Sequence, residues 1–294
     1  MDLSIVKWFQ SLQSNGLDYF FLFITEFGDE LAFFVISAIL YWTINKKFAY
    51  RFMMIFLTSV SLNAVFKHII IRPRPFVAYP DQVISIGDPT HGYSMPSGHA
   101  QNGGITALLL NERFGHLRKW VTPFLVVMAL LVALSRIYLG QHYLTDVIAG
   151  LGVAALIYVA FIKLSSKFQL TFKQLMMIMI PILLVLLIFI QDKNLYISAA
   201  ALIGLSVGYH IEIKTINYNI KNTLLIHILK VVIGLVVALG LKEGLKFVLP
   251  YPDGEITNQF TLILDFIRYF MLTMWMTLGS MVLFSKLFKT EKLA

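Results

Sequence analysis

Three short stretches hold most of the chain's candidate chemistry. The first runs from Lys67 to Arg74 and Pro75, as K-H-I-I-I-R-P-R-P. The second is Pro96-Ser97-Gly98-His99, and the third is S-R-I-Y-L-G-Q-H-Y-L-T-D, from Ser135 and Arg136 through His142 to Asp146. Together they gather the cations Lys67, Arg74 and Arg136, two histidines, a serine, a carboxylate and a helix-starting glycine. That inventory suits binding a phosphate, attacking it, and protonating what leaves.

His142 and Asp146 are four apart, so on a helix they share a face. A carboxylate there can accept the ring N–H of His142 and fix its tautomer, leaving the other nitrogen as a nucleophile. The pair alone equally fits a helix-terminal histidine beside a surface aspartate. Ser97 is placed to cap a helix that begins at Gly98, and its free backbone N–H groups make an anion site. His99, in the first turn, can protonate a leaving group and later activate water. Taken alone, these four residues read as a capped helix start. Pro73 and Pro75 stiffen the backbone around Arg74. Lys67, Arg74 and Arg136 can neutralise a bound phosphate and its transition state. Singly, each also fits an interfacial cation whose charge reaches toward water.

These residues must be positioned by membrane helices. Of 294 residues, 58% are hydrophobic and only 14% charged, and long apolar stretches recur along the chain. The expected fold is all-α: a polytopic transmembrane bundle of about nine spans, near 29–45, 51–71, 98–112, 120–138, 143–163, 174–191, 195–211, 223–241 and 261–286. Continuous runs exclude a transmembrane barrel of alternating strands. The chain has no cysteine, which excludes disulfides, cysteine-ligated metals and a cysteine nucleophile. The formal charge of +8 sits in short loops, so it points to topology and anionic lipid rather than nucleic acid. Residues 1–16 read as an interfacial segment anchored by Trp8 and Phe9, without a cleavable signal peptide.

Charge orients the bundle. Lys46, Lys47 and Arg51; Arg113, Arg118 and Lys119; Lys163, Lys167 and Lys173; and Lys286, Lys289 and Lys292 mark alternate ends, which are expected in the cytoplasm. The opposite loops carry all three motifs, together with Asp81, Asp88, Asp192, Asp253 and Glu255. Lys67, Arg72 and Arg74 break the positive-inside pattern there, an exception that a function would explain. Asp265 and Arg268, three apart in the last span, are expected to pair.

With these motifs in hand, the chain resembles the type 2 phosphatidic acid phosphatase superfamily, which includes lipid phosphate phosphatases, glucose-6-phosphatase and vanadium haloperoxidases. F-G-D-E, Y-W-T-I-N-K-K and P-S-G-H-A-Q-N are similar to a bacterial branch and to sphingosine-1-phosphate phosphatases. The resemblance implies that His142 forms a phosphohistidine, that Asp146 orients it, and that His99 is general acid and then base. It implies that Lys67, Arg74, Ser97, Gly98 and Arg136 bind the phosphoryl oxygens, with no metal and no cofactor. The expected organisation is an interfacial segment over 1–28, a catalytic core over 29–163, and additional spans over 164–294. The expected function is hydrolysis of a lipid phosphate or pyrophosphate at the extracytoplasmic face of a plasma membrane, with membrane lipids as surroundings. A soluble ester such as a sugar phosphate is the alternative substrate. A haloperoxidase, or a transporter that kept the cage as a binding site, is the alternative class.

Overall fold

The computed structural model describes residues 2–167, 172–252 and 258–288. Asp253, Glu255, Lys289 and Lys292, used above for orientation, lie outside the described residues, as do the side chains of Lys167 and Lys173. The described residues are helical or loop. In chain order the helices are α1 (Asp2–Ser11), α2 (Asn15–Thr25), α3 (Glu30–Ile39), α4 (Lys46–Ile70), α5 (Pro75–Ala78), α6 (Gly98–Phe114), α7 (Val121–Tyr138), α8 (Leu144–Lys167), α9 (Phe172–Phe189), α10 (Lys193–Thr215), α11 (Leu224–Val248), α12 (Gln259–Met274) and α13 (Ser280–Leu287).

Six described stretches are long and apolar enough to cross a membrane: Lys46–Ala78, Val121–Tyr138, Leu144–Lys163, Lys193–Thr215, Leu224–Val248 and Gln259–Leu287. This is a multi-pass membrane protein. Two further expected spans, Glu30–Ile44 and Gln174–Phe189, are apolar but shorter. The remaining one is α6, whose sequence G-H-A-Q-N-G-G-I-T-A-L-L-L-N-E-R-F dilutes its apolar run with polar and small residues. Among the described residues, length and composition thus support six of the nine expected spans. Large apolar side chains stay exposed on the long helices, among them Val126, Val127 and Leu130 of α7 and Val232, Val236 and Leu239 of α11. Such stripes fit contact with lipid chains.

The chain forms two compact units. One comprises residues 1–33 and 62–167, and holds all three motifs. Its centre is α6 packed against α7 and α8. Gly150 of α8 lies against the motif turn so closely that a Cβ would stand 2.5 Å from the carbonyl oxygen of Ser97. Beneath the motifs, Val6, Val83, Ala100, Ala133, Ile137, Tyr143 and Val147 form one buried apolar cluster. Ala100 follows His99, Ile137 follows Arg136, and Tyr143 and Val147 follow His142 and Asp146. These four motif residues thus each have a neighbour one position on that is driven into the core, at about 1.5–3 kcal/mol for a fully buried large aliphatic side chain. Packing the neighbours aims the motif residues. Helix α1 joins this core through Val6, Leu3, Ile5 and Phe9, while Trp8 remains 58% exposed. Of the two expected anchors, only Trp8 faces outward.

The other unit comprises residues 34–61 and 168–294. Its tightest described pair is α10 with α12. Gly204 and Gly208 of α10 sit on one face and let the backbones approach. A π-helical turn, Leu40–Ile44, follows α3, and another, Trp275–Gly279, follows α12. Trp42 of the first donates its indole N–H to the carbonyl of Met276 in the second, at 2.9 Å. The buried Lys230 bonds to Asn222 and to the carbonyl of Ile220. Asp265 and Arg268 take partners other than each other. Asp265 accepts from the Tyr251 hydroxyl at 2.9 Å, while Arg268 donates to the Lys242 carbonyl at 2.7 Å and approaches Glu243.

Candidate active site

The third motif bends where α7 ends. Gly140 adopts φ +71°, and a Cβ there would stand 2.2 Å from the carbonyl oxygen of Ile84. Only glycine fits that turn. The backbone N–H groups of Gln141 and His142 then return to the carbonyl of Arg136, each at 3.1 Å. This brings the side chains of Arg136 and His142 into one site, though they are six apart in sequence.

His142 is buried, 1% exposed. Its Nε2 lies 3.1 Å from Nη1 of Arg74. A guanidinium only donates, so Nε2 is the acceptor and the ring proton sits on Nδ1. Burial pushes the basicity of His142 well below that of a free imidazole, and the nearby charges of Arg74, Arg136 and Lys67 push it the same way. The ring is neutral, with its lone pair on Nε2. The same three cations surround His99.

Asp146 is fully buried, but it does not hold His142 directly. Its Oδ2 is 3.6 Å from Nδ1, beyond hydrogen-bond range. The reason is competition for its lone pairs. Oδ2 accepts from the Ser94 hydroxyl at 2.6 Å and the Tyr143 N–H at 2.9 Å, while Oδ1 accepts from Arg72 at 2.7 Å. The expected direct pair is therefore an indirect one.

Arg74 is 4% exposed and fixed on all sides. It donates to the carbonyls of Gly92 at 2.9 Å, His91 at 3.0 Å and Gln141 at 3.2 Å. Arg136, 3% exposed, donates through Nη1 to Thr25 at 2.7 Å. Its Nε and Nη2 are buried without a hydrogen-bond partner among the described residues. Burying a charge this incompletely satisfied is costly, and an anion in the site would complete it. Glu26 and Asp29 are its acidic neighbours.

Ser97 caps α6, accepting from the Ala100 N–H at 3.5 Å, while its own N–H donates to the carbonyl of Asp146 at 2.9 Å. Gly98 begins the helix. Asn63 secures the turn from α4, donating to Gln101 at 2.8 Å and to the carbonyl of Pro96 at 3.3 Å. His99 is partly exposed, its Nε2 4.0 Å from Oδ2 of Asp29. Lys67, half-buried on α4, faces the same cluster by its charge.

The structure thus gathers every motif residue in one unit. It adds Ser94, Arg72, Gln141 and Thr25, which the motifs do not assign. Gln141 accepts from Thr90 at 2.6 Å and donates to Ser85 at 2.6 Å, tying the loop before Pro96 to the motif turn. Arg72 bridges Asp146 and Asp2 of α1, and lies over the Tyr143 ring, 4.0 Å from its centroid. Its one sequence signal was a cation on the face where positive charge is otherwise diluted.

A helical membrane protein with neutral His142, capped α6 and three converging cations defines a class suited to phosphoryl chemistry. The chain belongs to the PAP2 superfamily. Residues 46–170 match that superfamily, and residues 196–292 match its "PAP2 superfamily phosphatase, transmembrane extension". Sphingosine-1-phosphate phosphatase 1 of Rattus norvegicus is 33% identical over 183 residues, 59% of this chain and 41% of that protein. Undecaprenyl-diphosphatase of Sulfolobus acidocaldarius is 30% identical over 150 residues, 50% of this chain and 68% of that protein. The chain therefore spans about two fifths of the rat relative's length. Among solved structures, a transmembrane PAP2 type phosphatidylglycerolphosphate phosphatase from Bacillus subtilis is similar over 56% of this chain and 85% of that one, at 25% identity and a TM-score of 0.47.

Proposed function

We propose that this protein is an integral membrane phosphatase that removes phosphate from a lipid phosphate or diphosphate through a phosphohistidine at His142. The observation that carries this reading is the state of His142. It is neutral, its Nε2 lone pair is aligned by Arg74, and Arg136 stands beside it with unanswered N–H groups.

The chemistry follows from the placement. Arg74, Arg136, Lys67 and the N-terminus of α6, at Ser97 and Gly98, hold the phosphoryl oxygens. The Arg74 N–H that Nε2 of His142 accepts turns to a phosphoryl oxygen and frees the lone pair; Nε2 then attacks phosphorus, the bond from phosphorus to the ester oxygen breaks, and its electron pair leaves with that oxygen. His99, with Asp29 near its ring, gives the leaving oxygen a proton. Water then attacks phosphorus as His99 takes back a proton, and the P–N bond breaks to restore His142. The chemistry needs no metal in these steps. We assign the catalytic core to 29–163, where every residue named lies, with 1–28 as an interfacial segment whose helix α1 packs into that core and 164–294 as additional membrane helices.

The substrate class rests on the membrane setting and the relatives' names. A sphingoid-base phosphate and an isoprenyl diphosphate are the two leading members. The active site faces away from the cytoplasm of a plasma membrane, on the argument from basic loops. Purified protein in detergent, offered phosphatidate, sphingoid-base phosphate, undecaprenyl diphosphate and a sugar phosphate, is expected to release phosphate fastest from one of the lipids. Preference for the sugar phosphate would move the substrate to the soluble class, and binding without release would make the protein a carrier.

A further inference from the structure

Ser94 belongs to none of the motifs, yet it is fully buried between the two residues that matter most. Its hydroxyl donates to Oδ2 of Asp146 at 2.6 Å, and the same oxygen lies 3.3 Å from Nδ1 of His142. The proton directions are fixed by the ends of this chain. Arg74 can only donate, so Nε2 of His142 accepts and Nδ1 carries the hydrogen. Ionised Asp146 can only accept, so the Ser94 hydroxyl proton points to it. The hydroxyl oxygen of Ser94 is then free to accept from Nδ1, beside the Ser94 backbone, which also favours the charged ring. Asp146 has no better way to reach the ring, because Tyr143 and Arg72 occupy its other positions.

We infer that Ser94 is a positioning residue through which Asp146 holds His142. The inference deepens the reading of His142 as nucleophile and rests on it. When the Nε2 lone pair bonds to phosphorus, the ring gains positive charge and keeps its Nδ1 proton. That charge is met by the Ser94 oxygen and, one hydrogen bond further, by the carboxylate. No proton needs to move along the chain, and the lone pair returns to Nε2 when the P–N bond breaks.

The loop that carries Ser94 is built to hold it there. Its backbone N–H donates to the carbonyl of Arg72 at 2.8 Å. Upstream, the carbonyls of His91 and Gly92 are gripped by Arg74, and Thr90 is bound to Gln141. Arg72, which fixes the far oxygen of Asp146, is itself held by Asp2 at 2.9 Å.

The test compares Ser94→Ala, Ser94→Cys, Asp146→Asn and the Ser94→Ala/Asp146→Asn double variant with wild type and His142→Ala, in detergent, on phosphatidate, sphingoid-base phosphate and undecaprenyl diphosphate. Ser94→Ala is expected to lower kcat about 10- to 100-fold, the scale of a lost hydrogen bond to a charged group, with KM within about threefold. Ser94→Cys fills the space with a weak hydrogen-bonding group, so it should be as slow as Ser94→Ala at a wild-type unfolding midpoint. Asp146→Asn should cost far less on the Ser94→Ala background than alone, because both act on one bond. Ser94→Cys at wild-type rate, or fully multiplicative losses in the double variant, would overturn the relay and leave Ser94 a packing residue. Wild type inactive on all three lipids, or His142→Ala fully active, overturns the underlying reading of function instead.

Discussion

His142 is the residue on which the local physics converges. Buried and surrounded by Arg74, Arg136 and Lys67, it is far harder to protonate than a free imidazole. Its neutral form is the nucleophile, so activity should rise with pH through the depressed basicity of this ring, not through the value of about 6.5 for an unperturbed histidine. The acid limb of kcat/KM, which reports the free enzyme, is therefore expected below pH 6.5. A limb centred at or above that value would contradict the charge environment described. His142, His99, Asp146, Arg74, Arg136 and Ser97 were legible because sequence spacing places them at helix ends, where local geometry brings them near one another. Ser94 was not. Its partners, His142 and Asp146, come from the turn before α8 and from the first turn of α8, and they meet it only because the loop from Tyr79 to Met95 folds back over the site. The direct bond expected between His142 and Asp146 failed for the same reason, since spacing shows which side chains share a face but not who competes for their lone pairs.

At the scale of elements, the turn between α7 and α8 sets the site. Gly140 is the hinge, with positive φ and a backbone oxygen where a Cβ would be. Gly140→Ala is expected to destabilise the protein by about 1–3 kcal/mol and to abolish most activity, since Arg136 and His142 lie on either side of it. Thermal unfolding in detergent alongside phosphate release would check this, and a fully stable, active variant would contradict it. Hydropathy made the long helices legible, including α7, α8, α10 and α11. For α6 hydropathy is a weaker guide, because Gly103 and Gly104 pack it on α7 and α8 and polar residues dilute its apolar run. It could not show the π-helical turns after α3 and α12, which depend on Trp42 and Trp275 reaching carbonyls far away in sequence.

For the whole molecule, the membrane makes orientation part of function. Helix α6 separates the motif turn at its start from the 115–120 loop beyond its end by about 25 Å, at 1.5 Å per residue. The two should therefore report opposite sides. In this cysteine-free chain, Asp88→Cys, in the exposed loop before the second motif, is expected to react with a membrane-impermeant thiol reagent in intact cells. Arg118→Cys, also exposed, should react only after lysis. The reverse pattern would move the substrate pool to the cytoplasmic leaflet.

The central claim is phosphate transfer to His142 without a metal. It is tested most directly by turnover of a lipid phosphate in EDTA, wild type against His142→Ala. Wild type should keep its full rate, and His142→Ala should lose at least about a thousandfold while unfolding at the same temperature. His142→Ala turning over within a few-fold of wild type, or a wild-type rate that collapses in EDTA and returns with Mg²⁺, would contradict the account.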